Sequence, residues 1–207
     1  MPSGRAGAAV AAAALAGALG IALWWRRNPS PCPYAQRFWV ELPHPSITRE
    51  RLEEILAPRP GERVLEVGPG TGYYTLGVAR RLGDDGRLHI LDVQDKMLEH
   101  TCRRAREAGL HNVVPVSADA RDIPYDGASF DAAYVCAALG EVPDVSAALR
   151  ELRRVVRPGG QLVVGESYLD PHLVRIGVLR AAADAAGLAL ERRSGGVAGY
   201  FARFEAV

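Results

Sequence analysis

Glu66 stands two positions ahead of three alternating glycines, in Val64-Leu65-Glu66-Val67-Gly68-Pro69-Gly70-Thr71-Gly72. The apolar Val64, Leu65 and Val67 form a short run closed by a turn signal, which predicts a strand covered on both faces. Gly68, Gly70 and Gly72 carry no Cβ, so main chain there can approach a ligand closely. A helix opening at Tyr73-Tyr74-Thr75 would aim unpaired N–H groups at the same place. Dinucleotide-binding chains use a similar loop. Glu66 separates the two cases, because its carboxylate would repel a pyrophosphate and suits a ligand bearing ammonium and sulfonium charge.

A second carboxylate, Asp92, follows the apolar stretch ending at Leu91. It lies 26 residues after Glu66, near the one-βαβ-unit separation at which an acid meets a ribose. Asp119 closes a third strand. His44, Glu141, Glu166, Tyr168 and His172 lie near strand ends or at the entry to the domain. Each is a candidate base, needed only if an acceptor must lose a proton. Tyr73 and Tyr74 read as helix-start packing or ligand cover. The three cysteines, Cys32, Cys102 and Cys136, are widely spaced, with no CxxC and no His at metal spacing. That pattern predicts neither a metal site nor a disulfide framework, and fits a reducing compartment.

Strands and helices alternate around these residues. Pro29, Pro31 and Pro33 make a stiff linker. Ser46 or Thr48 caps a helix whose apolar stripe is Leu52, Ile55 and Leu56. Strands are expected near 64–67, 87–91, 113–116, 130–135 and 161–164. Helices are expected up to Leu82, across Met97–Cys102, over 147–156 and over 174–186. Arg157-Pro158-Gly159-Gly160 reads as a tight turn into the fifth strand. Two closing strands, about 188–193 and 200–204, flank Ser194-Gly195-Gly196. Such alternation predicts a mostly parallel sheet with helices on both faces, and an antiparallel last pair.

The chain has 207 residues and a formal net charge of +1, enough for one α/β domain with an appendage. The near-balance of charge gives no basic surface for nucleic acid. From Ala6 to Trp25 there is no charged or strongly polar side chain. As a helix this run would span roughly 30 Å, about one bilayer core. Trp24-Trp25 at its end suit the interface. Arg26-Arg27 beyond them would keep the domain cytoplasmic, an argument that Arg5 on the other flank weakens. Two other readings are open: a cleaved signal with Ala14-Leu15-Ala16 or Ala16-Gly17-Ala18 as its small-residue site, and a tail that packs on the protein or stays disordered. We take the anchor, and divide the chain into an anchor helix (1–27), a linker and cap (28–57) and a domain (58–207).

From about Pro58 onward the chain resembles the class I S-adenosylmethionine-dependent methyltransferases, most closely the group containing the ubiquinone/menaquinone C-methyltransferases. Four stretches carry the likeness in order: the glycine loop, Leu91-Asp92-Val93, Asp119-Ala120 with Ile123-Pro124-Tyr125 and Ser129-Phe130-Asp131, and Arg153 to Gly160. The resemblance implies a doubly wound, mostly parallel seven-stranded sheet with its last strand pair antiparallel. It further implies S-adenosylmethionine held at the carboxyl ends of the strands by Glu66, Gly68, Pro69, Gly70, Thr71, Gly72, Tyr73, Asp92, Val93, Met97, Asp119, Ala120 and Cys136. Asp92 would hold the ribose hydroxyls, Val93 would pack on the adenine, and Asp119 would accept its amine. Asp131 begins a strand and reads as structural. Glu141, after the fourth strand where this fold usually binds acceptors, and His44 are the catalytic candidates.

Together these features predict a membrane-tethered methyltransferase for a small lipophilic acceptor such as a quinone-like ring, an isoprenoid or a lipid. Phe38 and Trp39 would line a mouth facing the bilayer. The alternative is a non-catalytic S-adenosylmethionine-binding or assembly subunit of a membrane biosynthetic complex. A nicotinamide-dependent oxidoreductase is disfavoured by Glu66 and by the lack of a Tyr-x-x-x-Lys pair.

Overall fold

The computed structural model describes Gly17 and residues 28–41, 44–196 and 198–207. Seven strands form one sheet in the order β3-β2-β1-β4-β5-β7-β6. They are β1 (Arg63–Val67), β2 (Arg87–Asp92), β3 (Val113–Ser117), β4 (Phe130–Cys136), β5 (Val156–Ser167), β6 (Leu188–Gly196) and β7 (Gly199–Ala206). The first five are mutually parallel, while β7 runs antiparallel to both β5 and β6. The predicted architecture is therefore present. The order reverses at β1, between β2 and β4, and open α/β sheets bind ligands beyond the carboxyl ends at such a point.

After a short helix α1 (Phe38–Glu41), helices α2 (Arg49–Leu56), α3 (Thr75–Leu82), α4 (Asp95–Glu107), α5 (Val145–Val155) and α6 (Ile176–Ala185) cover the sheet. Alternation along each strand divides the core into two layers. Val64, Ile90, Tyr134 and Val163 face α2, α3 and α4. Leu65, Val135 and Leu162 face α5 and α6. Thr48 caps α2, its hydroxyl accepting the Arg51 N–H at 3.4 Å, and the helix ends at Ala57 in the left-handed region. Asp144 caps α5 by accepting the Ala147 N–H at 2.9 Å. Ser46, the other candidate cap, is instead buried against Ser167 at 3.2 Å.

One local expectation needs correction. Arg157-Pro158-Gly159-Gly160 is not a turn ahead of β5 but part of it. Pairing runs Phe130 with Val156 and then Ala132 with Gln161, so two positions on β4 oppose five on β5. Gly159, at φ 71°, takes up the excess as an irregularity in the strand. Asp131 is structural as expected: it accepts the Arg63 N–H at 2.8 Å and pairs with Arg157 at 2.9 Å.

The apolar run Ala6–Trp25 expected as an anchor lies, Gly17 apart, outside the described residues. Among the described residues no helix is long and apolar enough to cross a membrane.

Candidate active site

The glycine loop crosses the carboxyl end of β1 with Gly68, Gly70 and Gly72 at φ of 67°, 55° and 84°. Side chains rarely accept this region. The Gly68 N–H donates to the Leu91 carbonyl at 2.8 Å, fixing the loop to the end of β2. A Cβ on Gly68 would stand 2.5 Å from that of Ala138, just past β4. Glycine there lets three strand ends meet. Two α4 side chains hold the loop from behind: Thr101 donates to the Gly70 carbonyl at 2.9 Å and Arg104 to the Thr71 carbonyl at 2.6 Å. Neither residue stood out in the sequence, because each acts on main chain about thirty positions away.

Glu66 projects from β1 toward α3 and is 2 % exposed. Thr75, at the start of α3, donates its hydroxyl to the carboxylate at 2.6 Å. The Tyr134 hydroxyl lies beside the same carboxylate, close enough to perturb it but outside hydrogen-bond geometry. Burial pushes the Glu66 carboxyl up to about 7, since removing water penalises the charged form. Asp92 ends β2, accepts the Gln94 N–H at 2.9 Å, and is likewise raised by burial, to about 6. Both carboxylates would be drawn back to the ionised form by a cation between them.

The other predicted residues separate into groups. Val93 sits beside Asp92 with half its surface exposed, an apolar side chain open to solvent at the groove. Met97, Ala120 and Cys136 are buried at the same edge of the sheet. Asp119 is committed elsewhere: both its oxygens bind Arg121, the shortest contact being 2.6 Å. Reaching an adenine amine would require releasing that arginine. His44 stacks on Tyr73 with ring centroids 5.0 Å apart, and burial and the Arg49 guanidinium lower its pKa. Arg49 in turn lies over the Tyr73 ring, 3.9 Å from its centre.

Glu141 follows β4 on a single turn of 3-10 helix, Leu139–Glu141. Its carboxylate accepts the Cys32 N–H at 3.1 Å. The other side of that residue is held by Gln94, whose amide donates to the Cys32 carbonyl at 3.0 Å. The same amide accepts the Tyr34 N–H at 3.2 Å. Residues 32–34 thus form a strap pinned between the ends of β2 and β4. The sequence singled out Glu141 as a catalytic candidate and gave no sign of Gln94 or of the strap that both hold. A hollow of about 280 Å³ opens beside it, lined by Glu41, Arg49, Tyr73, His100 and Arg104. A larger one of about 430 Å³, around Arg63 and Tyr125, lies at the opposite edge of the sheet, away from these carboxylates.

The profile of the ubiE/COQ5 methyltransferase family matches residues 41–174. The chain belongs to this family. UbiE of Shewanella frigidimarina, a ubiquinone/menaquinone biosynthesis C-methyltransferase, is 37 % identical over 120 residues, 58 % of this chain and 48 % of that protein. The chain thus spans about half the length of the curated relatives it matches. In fold it is similar to a SAM-dependent methyltransferase from Aquifex aeolicus, with a TM-score of 0.78 at 19 % identity, covering 85 % of this chain and all of that one. It is also similar to the [4+2]-cyclase SpnF, with a TM-score of 0.64 at 29 % identity, covering 70 % of this chain and 57 % of that one.

The family's cofactor is S-adenosylmethionine, and the residues present fit it. Thr71 is fully buried, yet its hydroxyl has no partner among the described residues. Buried polar groups are rarely left so. Beside it lie a glycine cradle, the buried Glu66 and half-buried Asp92 at the ends of β1 and β2, and the exposed Val93. This set suits a cation carrying a ribose and a flat base. Among the described residues no three His, Cys, Asp or Glu side chains converge to hold a metal ion.

Proposed function

We propose that this chain is an S-adenosylmethionine-dependent methyltransferase acting on a small, lipophilic acceptor. The observation that carries the reading is the pairing of buried Glu66 and half-buried Asp92 around a glycine loop with an unsatisfied threonine. The bound cofactor supplies an electrophilic methyl group on a sulfonium. Asp92 would hold the ribose, and Glu66 would favour the positive end through the loop and the start of α3. Alignment and exclusion of water are what such a site contributes to an in-line transfer. The strap over the groove serves the second of these.

The acceptor class is supported by apolar side chains around the carboxyl edge. Phe38, Val93, Tyr168 and Leu169 are all exposed, Leu169 by 83 %. Exposed apolar surface collected near a groove marks a binding region. The relative named for ubiquinone and menaquinone biosynthesis agrees with a quinone-like or isoprenoid acceptor. We further propose that the apolar run Ala6–Trp25 holds the domain at a bilayer, on the cytoplasmic side, raising its encounter with such acceptors.

The test is calorimetric titration of S-adenosylmethionine and S-adenosylhomocysteine into the full chain, followed by transfer of labelled methyl into a membrane extract. Binding with labelled lipid-soluble product supports the reading; absence of binding rejects it. A second reading, an S-adenosylmethionine-binding or assembly subunit without methyl transfer, draws on the likeness to a cyclase, since one fold can host other chemistry. Binding without any labelled product, together with a stable protein partner, would favour it.

A further inference from the structure

Beyond the cofactor groove, a second group of carboxylates occupies the carboxyl edge of the sheet on the α5 and α6 side. Glu166 is the penultimate residue of β5 and is 1 % exposed. One of its oxygens accepts the Val174 N–H at 3.2 Å. The other is buried and has no partner among the described residues. Asp170 follows in the next loop, where it accepts the His172 N–H at 2.7 Å. Glu141 faces both from the turn after β4.

Packing explains why these acids meet. Gly140 lies so close to the loop that a Cβ on it would overlap the His172 carbonyl. The Leu139–Glu141 turn and the 170–174 loop are thereby pressed together, backbone on backbone. Tyr200, opposite Glu166 on β7, donates its hydroxyl to the Val174 carbonyl at 2.5 Å and fixes the loop's far end. His172 is the basic side chain beside Asp170, and the groups that act on Glu166 are acids and a main-chain N–H. A buried carboxylate oxygen left without a donor is destabilising. The chain itself thus leaves one buried oxygen of Glu166 without a proton donor.

We propose that Glu141, Asp170 and Glu166 form the acceptor subsite, in which the unpartnered oxygen of Glu166 receives the proton of an uncharged, hydroxyl-bearing acceptor. The proposal rests on the methyltransferase reading given above. In the step, an electron pair of the acceptor forms the new bond to the methyl carbon. The carbon–sulfur bond breaks and its electrons stay on sulfur. The acceptor gains one methyl and loses one proton, which passes to Glu166. The balance is the same whether the bond forms at the hydroxyl oxygen or at a ring carbon conjugated with it. Once ionised, three acids in one poorly solvated place also set specificity, since a phosphorylated or carboxylated acceptor would meet like charge.

The groups facing Glu166 are Asp170 in its own loop, with His172 beside it, Glu141 after β4, Cys136 on β4 and Tyr200 on β7. Burial first, then Asp170 and Glu141, raise the Glu166 carboxyl to about 8. A base must be ionised, so turnover is expected to fall on the acid side of that region. Removing the neighbouring charge with Glu141→Gln should move this limb to lower pH, which loss of packing alone would not do.

The test uses the full chain, with two probes: a short-chain prenyl naphthohydroquinone and its phosphate monoester. S-adenosylhomocysteine binding is measured first, by calorimetry. Infrared difference spectra then follow the carboxyl bands as each probe is added to the S-adenosylhomocysteine complex. The expected result is that the hydroquinone binds at least tenfold more tightly than the ester and perturbs a carboxyl band. That band should be missing in Glu166→Gln, which still binds S-adenosylhomocysteine and loses at least a hundredfold in methyl transfer. If Glu166→Gln does not fold, the Glu141→Gln shift of the pH limb decides. Failure of the wild-type chain to bind S-adenosylhomocysteine overturns the methyltransferase reading itself. Intact binding overturns the subsite alone if both probes bind equally or neither binds. A Glu166→Gln variant with unchanged rate, or a fixed pH limb in Glu141→Gln, does the same.

Discussion

The Glu141 carboxylate accepts the N–H of Cys32 across 109 positions of chain, at 3.1 Å, and Gln94 takes the carbonyl of the same residue at 3.0 Å. One residue of the strap is therefore held from both sides by side chains at the ends of two strands. Gln94 also accepts the Tyr34 N–H, so the two pins act on different amides. Hydrogen exchange should separate them. Glu141→Ala is expected to speed exchange of the Cys32 amide most, and Gln94→Ala that of Tyr34. Equal loss of protection at both amides in either variant would mean that the strap opens as one unit.

Cofactor affinity should depend on the acids at the ends of β1 and β2. Charge-assisted hydrogen bonds contribute about 1.5–3 kcal/mol. Asp92→Asn is therefore expected to weaken S-adenosylhomocysteine binding by roughly ten- to hundredfold, measured by calorimetry. Glu66→Gln keeps the shape and the Thr75 contact but removes the charge. It should discriminate less between S-adenosylmethionine and S-adenosylhomocysteine, which differ in the sulfonium.

Gly68 carries two demands at once, a φ of 67° and a close approach to Ala138. Left-handed backbone costs a residue with a side chain about 1–2 kcal/mol, and overpacking a further 1–3 kcal/mol or so. Gly68→Ala should lower stability by about 2–5 kcal/mol on these grounds. Adding Ala138→Gly should restore the packing part and leave the backbone part. Urea unfolding of the single and double variants measures both.

Stability should fall as pH rises through the neutral range. Glu66, Asp92, Glu141 and Glu166 are raised by burial to about 7, 6, 8 and 8, whereas in the unfolded chain such groups ionise near about 4. Between those limits the folded state binds more protons than the unfolded one, so unfolding free energy declines with pH. The contribution is complete below about pH 4 and lost by about pH 8. Calorimetric unfolding of the ligand-free protein should show this decline, and a Glu141→Gln, Glu166→Gln variant should flatten its upper part. Binding of S-adenosylmethionine near neutral pH should release protons, read as a dependence of binding heat on buffer.

Local signals made the frame legible in the sequence. Val64, Leu65 and Val67 form a run bounded by glycines, and Glu66 and Asp92 lie within one strand–helix–strand unit, so spacing alone brought them together. The Arg157–Gly160 stretch misled because its composition is that of a turn. Pairing with β4 drew it into β5, where Gly159 absorbs the misfit. Asp119 looked available until Arg121, two positions on, claimed both oxygens. The Cys32–Gln94–Glu141 contact left no trace, since it joins residues 62 and 109 positions apart. Thr101 and Arg104 escaped notice for the same reason, because a helix face gives no sign of which carbonyl it will meet.

The pinned Cys32 also acts as a short leash. It lies five residues beyond Arg27, and fully extended chain of that length reaches at most about 18 Å. While the two pins hold, whatever fixes the position of Arg27 also fixes how far the groove can stand from it. A surface that captured the amino-terminal run would keep the pinned ends of β2 and β4 within about that reach of itself. An acceptor partitioned in that surface would then have little water to cross.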